Sequence, residues 1–140
     1  MLESRVKFVE NMQFVGTGGS GHAVVMDAPP SACGNNTGSK PSELLLTAFG
    51  GCTGMDVMSI LRKKKQDVSN FEMNVSGEMA EEHPRMIVSI HIEYTVTGNN
   101  ISEEAVKRAI DLSQGKYCSV GFTIGKAAKI THSYKIVQED

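Results

Sequence analysis

Residues 41–65, PSELLLTAFGGCTGMDVMSILRKKK, decide the fold. Pro41 suits the first helical position, where a missing N–H costs nothing. Glu43 places an acid in the first turn, and Arg62, Lys63, Lys64 and Lys65 place cations at the other end, as the helix dipole favours. Leu44, Leu45, Ala48, Cys52, Met55, Met58, Ile60 and Leu61 populate nearly every side, which predicts a helix buried on most faces. Gly50, Gly51 and Gly54 each cost roughly 1 kcal/mol against Ala. Their presence predicts close approach of another element, or a kink beside Cys52. Such a helix would span about 35 Å. That is awkward for one small chain and predicts a dimer with the helix sandwiched between subunits.

Ahead of this helix the chain reads as β. Val6 and Phe8, then Met12 and Phe14, fall in short alternating runs separated by a turn at Glu10-Asn11, and His22 to Asp27 reads as a third strand. Residues 28–40, APPSACGNNTGSK, are a loop by composition. Beyond the helix, Phe71 to Glu78 and Arg85 to Thr97 alternate apolar and polar residues, which predicts a long hairpin with one wet face. Ser102, followed by Glu103 and Glu104, is a helix N-cap. Ala105, Val106, Ala109, Ile110 and Leu112 fall on one side, and Gly115 is expected to end that helix. A short helix over about Cys118 to Lys126 and a strand over Ile130 to Val137 complete an α+β order, βββ-α-ββ-α-α-β.

A chain of 140 residues predicts a single domain over 1–140 that needs no disulfide staples. Lys+Arg of 14 against Asp+Glu of 16 gives a net charge of −2, which makes no electrostatic case for nucleic acid or an anionic membrane. No run of about 18 consecutive apolar residues suggests a bilayer span. The opening MLESRVKFVENMQF has neither an apolar core nor a cleavage site. With three cysteines, an odd number, this predicts reduced thiols in a cytoplasmic protein.

Gly16-Thr17-Gly18-Gly19-Ser20-Gly21 matches the dinucleotide pattern GxGxxG, but the HAVVMD segment after it has strand character, so it reads as a hairpin loop. Cys33, Cys52, Cys118, His22, His83, His91 and His132 show no zinc-ligand spacing, and no serine sits in a nucleophile elbow. Cys52 and Cys118 each lie in a helical segment far apart in the chain. Either the fold brings them together as a two-thiol site, or they are two small buried residues. Cys118, near a helix start, is placed to feel the helix dipole.

Read in order, Pro41-Ser42-Glu43-Leu44-Leu45-Leu46, Gly50-Gly51-Cys52-Thr53, Asp56-Val57-Met58-Ser59-Ile60-Leu61 and Lys116-Tyr117-Cys118-Ser119-Val120 strongly resemble the OsmC/Ohr family, in its OsmC-like branch. The agreement runs from the early GH..V.MD strand to the final ITHSYKIV. The resemblance implies an OsmC-like fold. It also implies an intertwined homodimer, with cysteine-bearing helices packed between sheets and the active sites at the interface. It implies thiol-dependent reduction of organic hydroperoxides, with Cys52 as the peroxidatic and Cys118 as the resolving cysteine, an external dithiol as reductant, and no cofactor or metal. In the family an Arg from the N-terminal hairpin and a Glu directly after the helix-start Pro support the reactive thiol. Here the hairpin reads Gly18-Gly19-Ser20-Gly21-His22, and Ser42 follows Pro41. Glu43 stands one step on, rotated about 100° round the helix. Glu43 is therefore the candidate acid, and His22, Arg5 and Arg85 are the candidate basic groups. The competing expectation is a binding module on the same scaffold, holding a small apolar ligand or a partner. Cys33, in the 28–40 loop, has no assigned role.

Overall fold

Three short antiparallel strands open the chain: β1 (Ser4–Glu10), β2 (Gln13–Gly18) and β3 (Ala23–Met26), in the order β1-β2-β3. The turn expected at Glu10-Asn11 is present, with Asn11 in the left-handed region at φ 50°. The glycine-rich stretch is a hairpin, as its sequence suggests: Gly16 and Gly18 lie in β2, and the Gly21 N–H bonds the Gly18 carbonyl at 2.9 Å. Asp27 leaves the third strand. Its carboxylate accepts the N–H of Ala28 at 2.7 Å, the N–H of Thr37 at 3.0 Å and the Thr37 hydroxyl. The 28–40 loop is thereby tied across its own width. It contains one 3-10 turn, Pro30–Ala32.

The computed structural model describes residues 1–139. They divide into two units, Met1–Leu45 and Leu46 onward. In the first unit Val6, Phe8, Val9, Phe14, Val24 and Val25 are all exposed.

In the second unit β4 (Asp67–Met79) pairs antiparallel with β5 (Ile87–Asn99), and β6 (Lys129–Gln138) runs parallel to β5, giving the order β4-β5-β6. The expected hairpin is real and longer at both outer ends. Ile90, Ile92, Tyr94 and Val96 of β5 are buried, while Glu72, Asn74 and His91 stay wet. Ser102 caps α2 (Glu103–Leu112), its hydroxyl accepting the Ala105 N–H at 3.2 Å, and Val106, Ala109 and Ile110 fill the core. α3 spans Ser119–Ile124.

The central helix α1 runs Pro41–Lys63, two residues short of the expected end. Lys65 adopts φ 56°, and the Gln66 N–H turns back to the Leu61 carbonyl at 3.0 Å, so the backbone closes the helix before the cation run is complete. The expectation of burial on most faces is not met within the chain. One side is buried, through Phe49, Gly50, Thr53, Gly54, Val57 and Leu61, whereas Leu45 is 48% and Met55 76% exposed. The reason for Gly54 is visible: a Cβ there would lie 2.9 Å from the Met73 methyl of β4, so glycine lets the strand side chain reach the helix backbone. By length and mean hydropathy (1.5) α1 also meets the requirement for a bilayer span, although its apolar residues do not form one unbroken run.

Candidate active site

Cys118 is set by an irregularity. α2 does not stop at Gly115 but widens into one π turn, Ser113–Tyr117, in which the Cys118 N–H bonds the Ser113 carbonyl at 2.9 Å. Such turns insert a residue into the helical ladder and redirect the chain beyond them. Cys118 then caps α3, its Sγ accepting the Gly121 N–H at 3.2 Å. Only 1% of Cys118 is exposed. Burial is the main cause that pushes its thiol up to about 11. The Gly121 N–H works against this, and the neighbouring Cys52 side chain and the Asp56 charge add to it. At neutral pH Cys118 is a protonated thiol.

Cys52 sits on α1 where the buried side, through Phe49 and Thr53, meets the open side, through Gly51 and Met55. It is consequently half-buried within the single chain. Its polar side-chain partners among the described residues are the Cys118 thiol and the Ser119 hydroxyl, the latter at 3.8 Å. The two thiols named from the sequence are thus neighbours, and neither is tied up in a disulfide. Cys33 is exposed on the 28–40 loop, where its carbonyl accepts the Asn11 side-chain amide at 2.9 Å.

The other sequence candidates have local roles. The Glu43 carboxylate accepts the backbone N–H of Lys40 at 2.8 Å, the acidic half of a capping box at the helix start. His22 is exposed, with its ring bonded to Ser20. Arg5 lies on β1, paired across to Thr17, and Arg85 is exposed ahead of β5. Neither polar partner of Cys52 is a cation.

Sequence reasoning missed a polar chain threaded through the core beside the thiols. Ser113 Oγ donates to Asp56 Oδ2 at 2.9 Å, Thr53 Oγ1 lies 2.7 Å from Ser113 Oγ and 2.7 Å from the Tyr94 hydroxyl, and Gln114 Nε2 donates to that hydroxyl at 2.6 Å. A carboxylate only accepts, which fixes every proton in the chain. Ser113 gives its proton to Asp56, so Thr53 gives to Ser113, and Tyr94 gives to Thr53. Thr53, Tyr94 and Ser113 are each fully buried, and burial pushes the Tyr94 phenol above its usual value. One signal was available. Thr53 stands between Phe49 and Val57 on the buried stripe of α1, and Ser113 follows Ala109 and Ile110 on that of α2. Two hydroxyls on apolar stripes, each needing a partner, point to one another.

On the open side of α1, facing β4, an open hollow of about 650 Å³ is lined by Gly51, Met55, Met58, Phe71 and Met73 together with Arg62 and Lys63. Among the described residues no group of three or more His, Cys, Asp or Glu could hold a metal ion.

This arrangement of sheets and helices has relatives. The family model described as OsmC-like protein matches residues 34–133. The chain belongs to the OsmC family. Protein YhfA of Escherichia coli (strain K12) is 44% identical over 139 residues, covering 97% of this chain and 98% of YhfA. A hypothetical protein from Aquifex aeolicus VF5 is 28% identical with a TM-score of 0.87, over 100% of this chain and 98% of its own. At 10% identity, an organic hydroperoxide resistance protein OsmC from Legionella pneumophila has a TM-score of 0.72, over 96% of each chain, and shares the fold. The α+β OsmC-like architecture expected from the sequence is therefore established.

Proposed function

We propose that this protein reduces organic hydroperoxides with the Cys52–Cys118 pair. The observation that carries the reading is the inequality of two adjacent thiols: Cys52 is half-open to solvent, while Cys118 is buried and held protonated. The Cys52 thiolate attacks the O–O bond of the hydroperoxide, with uptake of one proton. This yields an alcohol and Cys52 sulfenic acid. The Cys118 sulfur then displaces the sulfenic hydroxyl, which leaves as water with the Cys118 proton, and a disulfide forms. Two thiols of an external dithiol take the disulfide back to the reduced pair. A buried thiol that stays protonated escapes direct oxidation and is kept for the second step. The description of the Legionella pneumophila relative as an organic hydroperoxide resistance protein supports this chemistry.

The same reading includes a homodimer in a reducing, cytoplasmic setting. Support comes from the uncovered apolar residues Val6, Phe8 and Phe14, and from Leu45 and Met55 on α1, a combination that isolated chains rarely leave open to water. A second copy laid on α1 would complete its burial. The test is peroxide consumption with a dithiol reductant in a Cys33→Ser background. The reading expects turnover that Cys52→Ser abolishes; equal rates in the two proteins would refute it.

A second reading, a binding module for a small apolar ligand, is favoured by the largely apolar hollow between α1 and β4 and by the lack of a cation among the polar partners of the Cys52 sulfur. It expects saturable binding of a medium-chain alkyl probe by Cys52→Ser and wild type alike, with no peroxide turnover in either.

A further inference from the structure

The polar chain beside the thiols does nothing in the steps above, yet it joins the elements that carry them. Ser113 is clasped twice by α1: its hydroxyl donates to Asp56 and accepts from Thr53. Ser113 also holds Cys118, because its carbonyl accepts the Cys118 N–H at 2.9 Å. The helix that bears Cys52 therefore grips, through side chains at the next position and one turn on, the residue whose backbone fixes Cys118. Asp56 is the acceptor end that orients all the protons in between. It is half-buried and opens onto a hollow shared with Lys63 and Tyr117.

We propose that Asp56 is a positioning residue for the thiol pair, holding the π turn against α1 through Ser113 so that Cys118 stands where it can close a disulfide with Cys52. The inference rests on the redox reading of that pair. A disulfide forms without strain only within narrow limits of Cα separation and side-chain direction. A π turn released from α1 could move Cys118 out of those limits with the rest of the fold intact.

The test is equilibration of Cys33→Ser protein with reduced and oxidised glutathione at pH 7, read by intact mass. One oxidised glutathione takes two hydrogens from the pair and leaves as two reduced glutathiones, so the balance reports how well the two sulfurs are placed. With the Cys118 thiol near 11, thiolate contributes little at this pH. Asp56→Ala is expected to lower the disulfide's equilibrium constant by about tenfold, the effect of one lost coupling among contacting residues. Asp56→Asn keeps an oxygen that accepts from Ser113 and is expected within about threefold of the parent, well inside that coupling. Ser113→Ala, which keeps the carbonyl but loses the hydroxyl, should match Asp56→Ala and serves if the latter does not fold. A residue needed only for folding would lower the unfolding temperature and leave the glutathione balance unchanged; that result overturns the proposal, as does a parent that forms no Cys52–Cys118 disulfide. A parent that forms the disulfide with glutathione, shows the Asp56 effect, and yet consumes no peroxide would sink the peroxidase reading and leave this one standing.

Discussion

Replacing Thr53 by Val tests the oriented hydrogen-bond chain more sharply than any surface change. The shapes match, so no cavity forms. What goes is the hydroxyl that accepts from Tyr94 and donates to Ser113, both at 2.7 Å. Ser113 still donates to Asp56, but the Tyr94 O–H, with no exposed surface, loses its acceptor. An orphaned buried donor costs about 1–3 kcal/mol on top of the bond lost, so Thr53→Val should cost about 2–3 kcal/mol. Tyr94→Phe is milder. Thr53 keeps its donation to Ser113, and half-buried Gln114 can turn to water, which leaves about 1 kcal/mol. For a chain of this length each kcal/mol lowers the melting temperature by about 3–4 °C. Thermal unfolding at one fixed protein concentration should therefore show Thr53→Val falling by about 8 °C and Tyr94→Phe by about 3 °C. The double variant carries the decisive sign. Once Thr53 is gone the Tyr94 hydroxyl is a liability, so removing it should recover about 1 kcal/mol. A Tyr94→Phe loss as large as that of Thr53→Val, or a double variant equal to the sum of the two losses, would refute the orientation.

Three more perturbations have defined outcomes. Hydrogen bonds, above all from the Thr37 hydroxyl, hold the Asp27 carboxyl below the usual carboxylate range. Its contribution is therefore complete above about pH 4 and fades as pH falls below the ordinary aspartate value. The stability gap between wild type and Asp27→Asn should narrow from pH 6 to pH 3, and a constant gap would contradict the assignment. Iodoacetamide at pH 8, on folded Cys33→Ser protein, should label Cys52 and spare Cys118, whose thiolate fraction is about one in a thousand at a pKa near 11; preferential labelling of Cys118 would argue against its burial. Gly98→Ala should destabilise the β4–β5 sheet strongly, because its Cβ would lie 2.1 Å from the Asp67 carbonyl oxygen, whereas Gly115→Ala meets nothing within 4 Å and should be neutral in urea unfolding.

Elements with a strong periodic signal were legible from the sequence. The alternation through Ile90, Ile92, Tyr94 and Val96 marked β5 and its buried face, and Ser102 marked the start of α2. Gly115 misled, because a glycine stop is a local rule, and here Ser113 draws the chain on into a π turn through contacts to α1. The open side of α1 was not divided from the buried side for a related reason: composition shows that a side chain is apolar, not which surface covers it, whether of this chain or of a second copy. At the site, Cys52 and Cys118 were nameable because the motifs around them resemble a family. Thr53, Asp56, Tyr94 and Ser113 were not, since their bonds join residues 41 and 57 to 60 positions apart and only the fold closes that distance.

The central claim is that one hydroperoxide molecule oxidises Cys52 and that Cys118 resolves it. Intact mass of Cys33→Ser protein after one equivalent of an organic hydroperoxide tests this directly. The account predicts the loss of two hydrogens in that protein, and, in the further Cys118→Ser variant, a gain of one oxygen instead. An unchanged mass in both, with the hydroperoxide unconsumed, would contradict it.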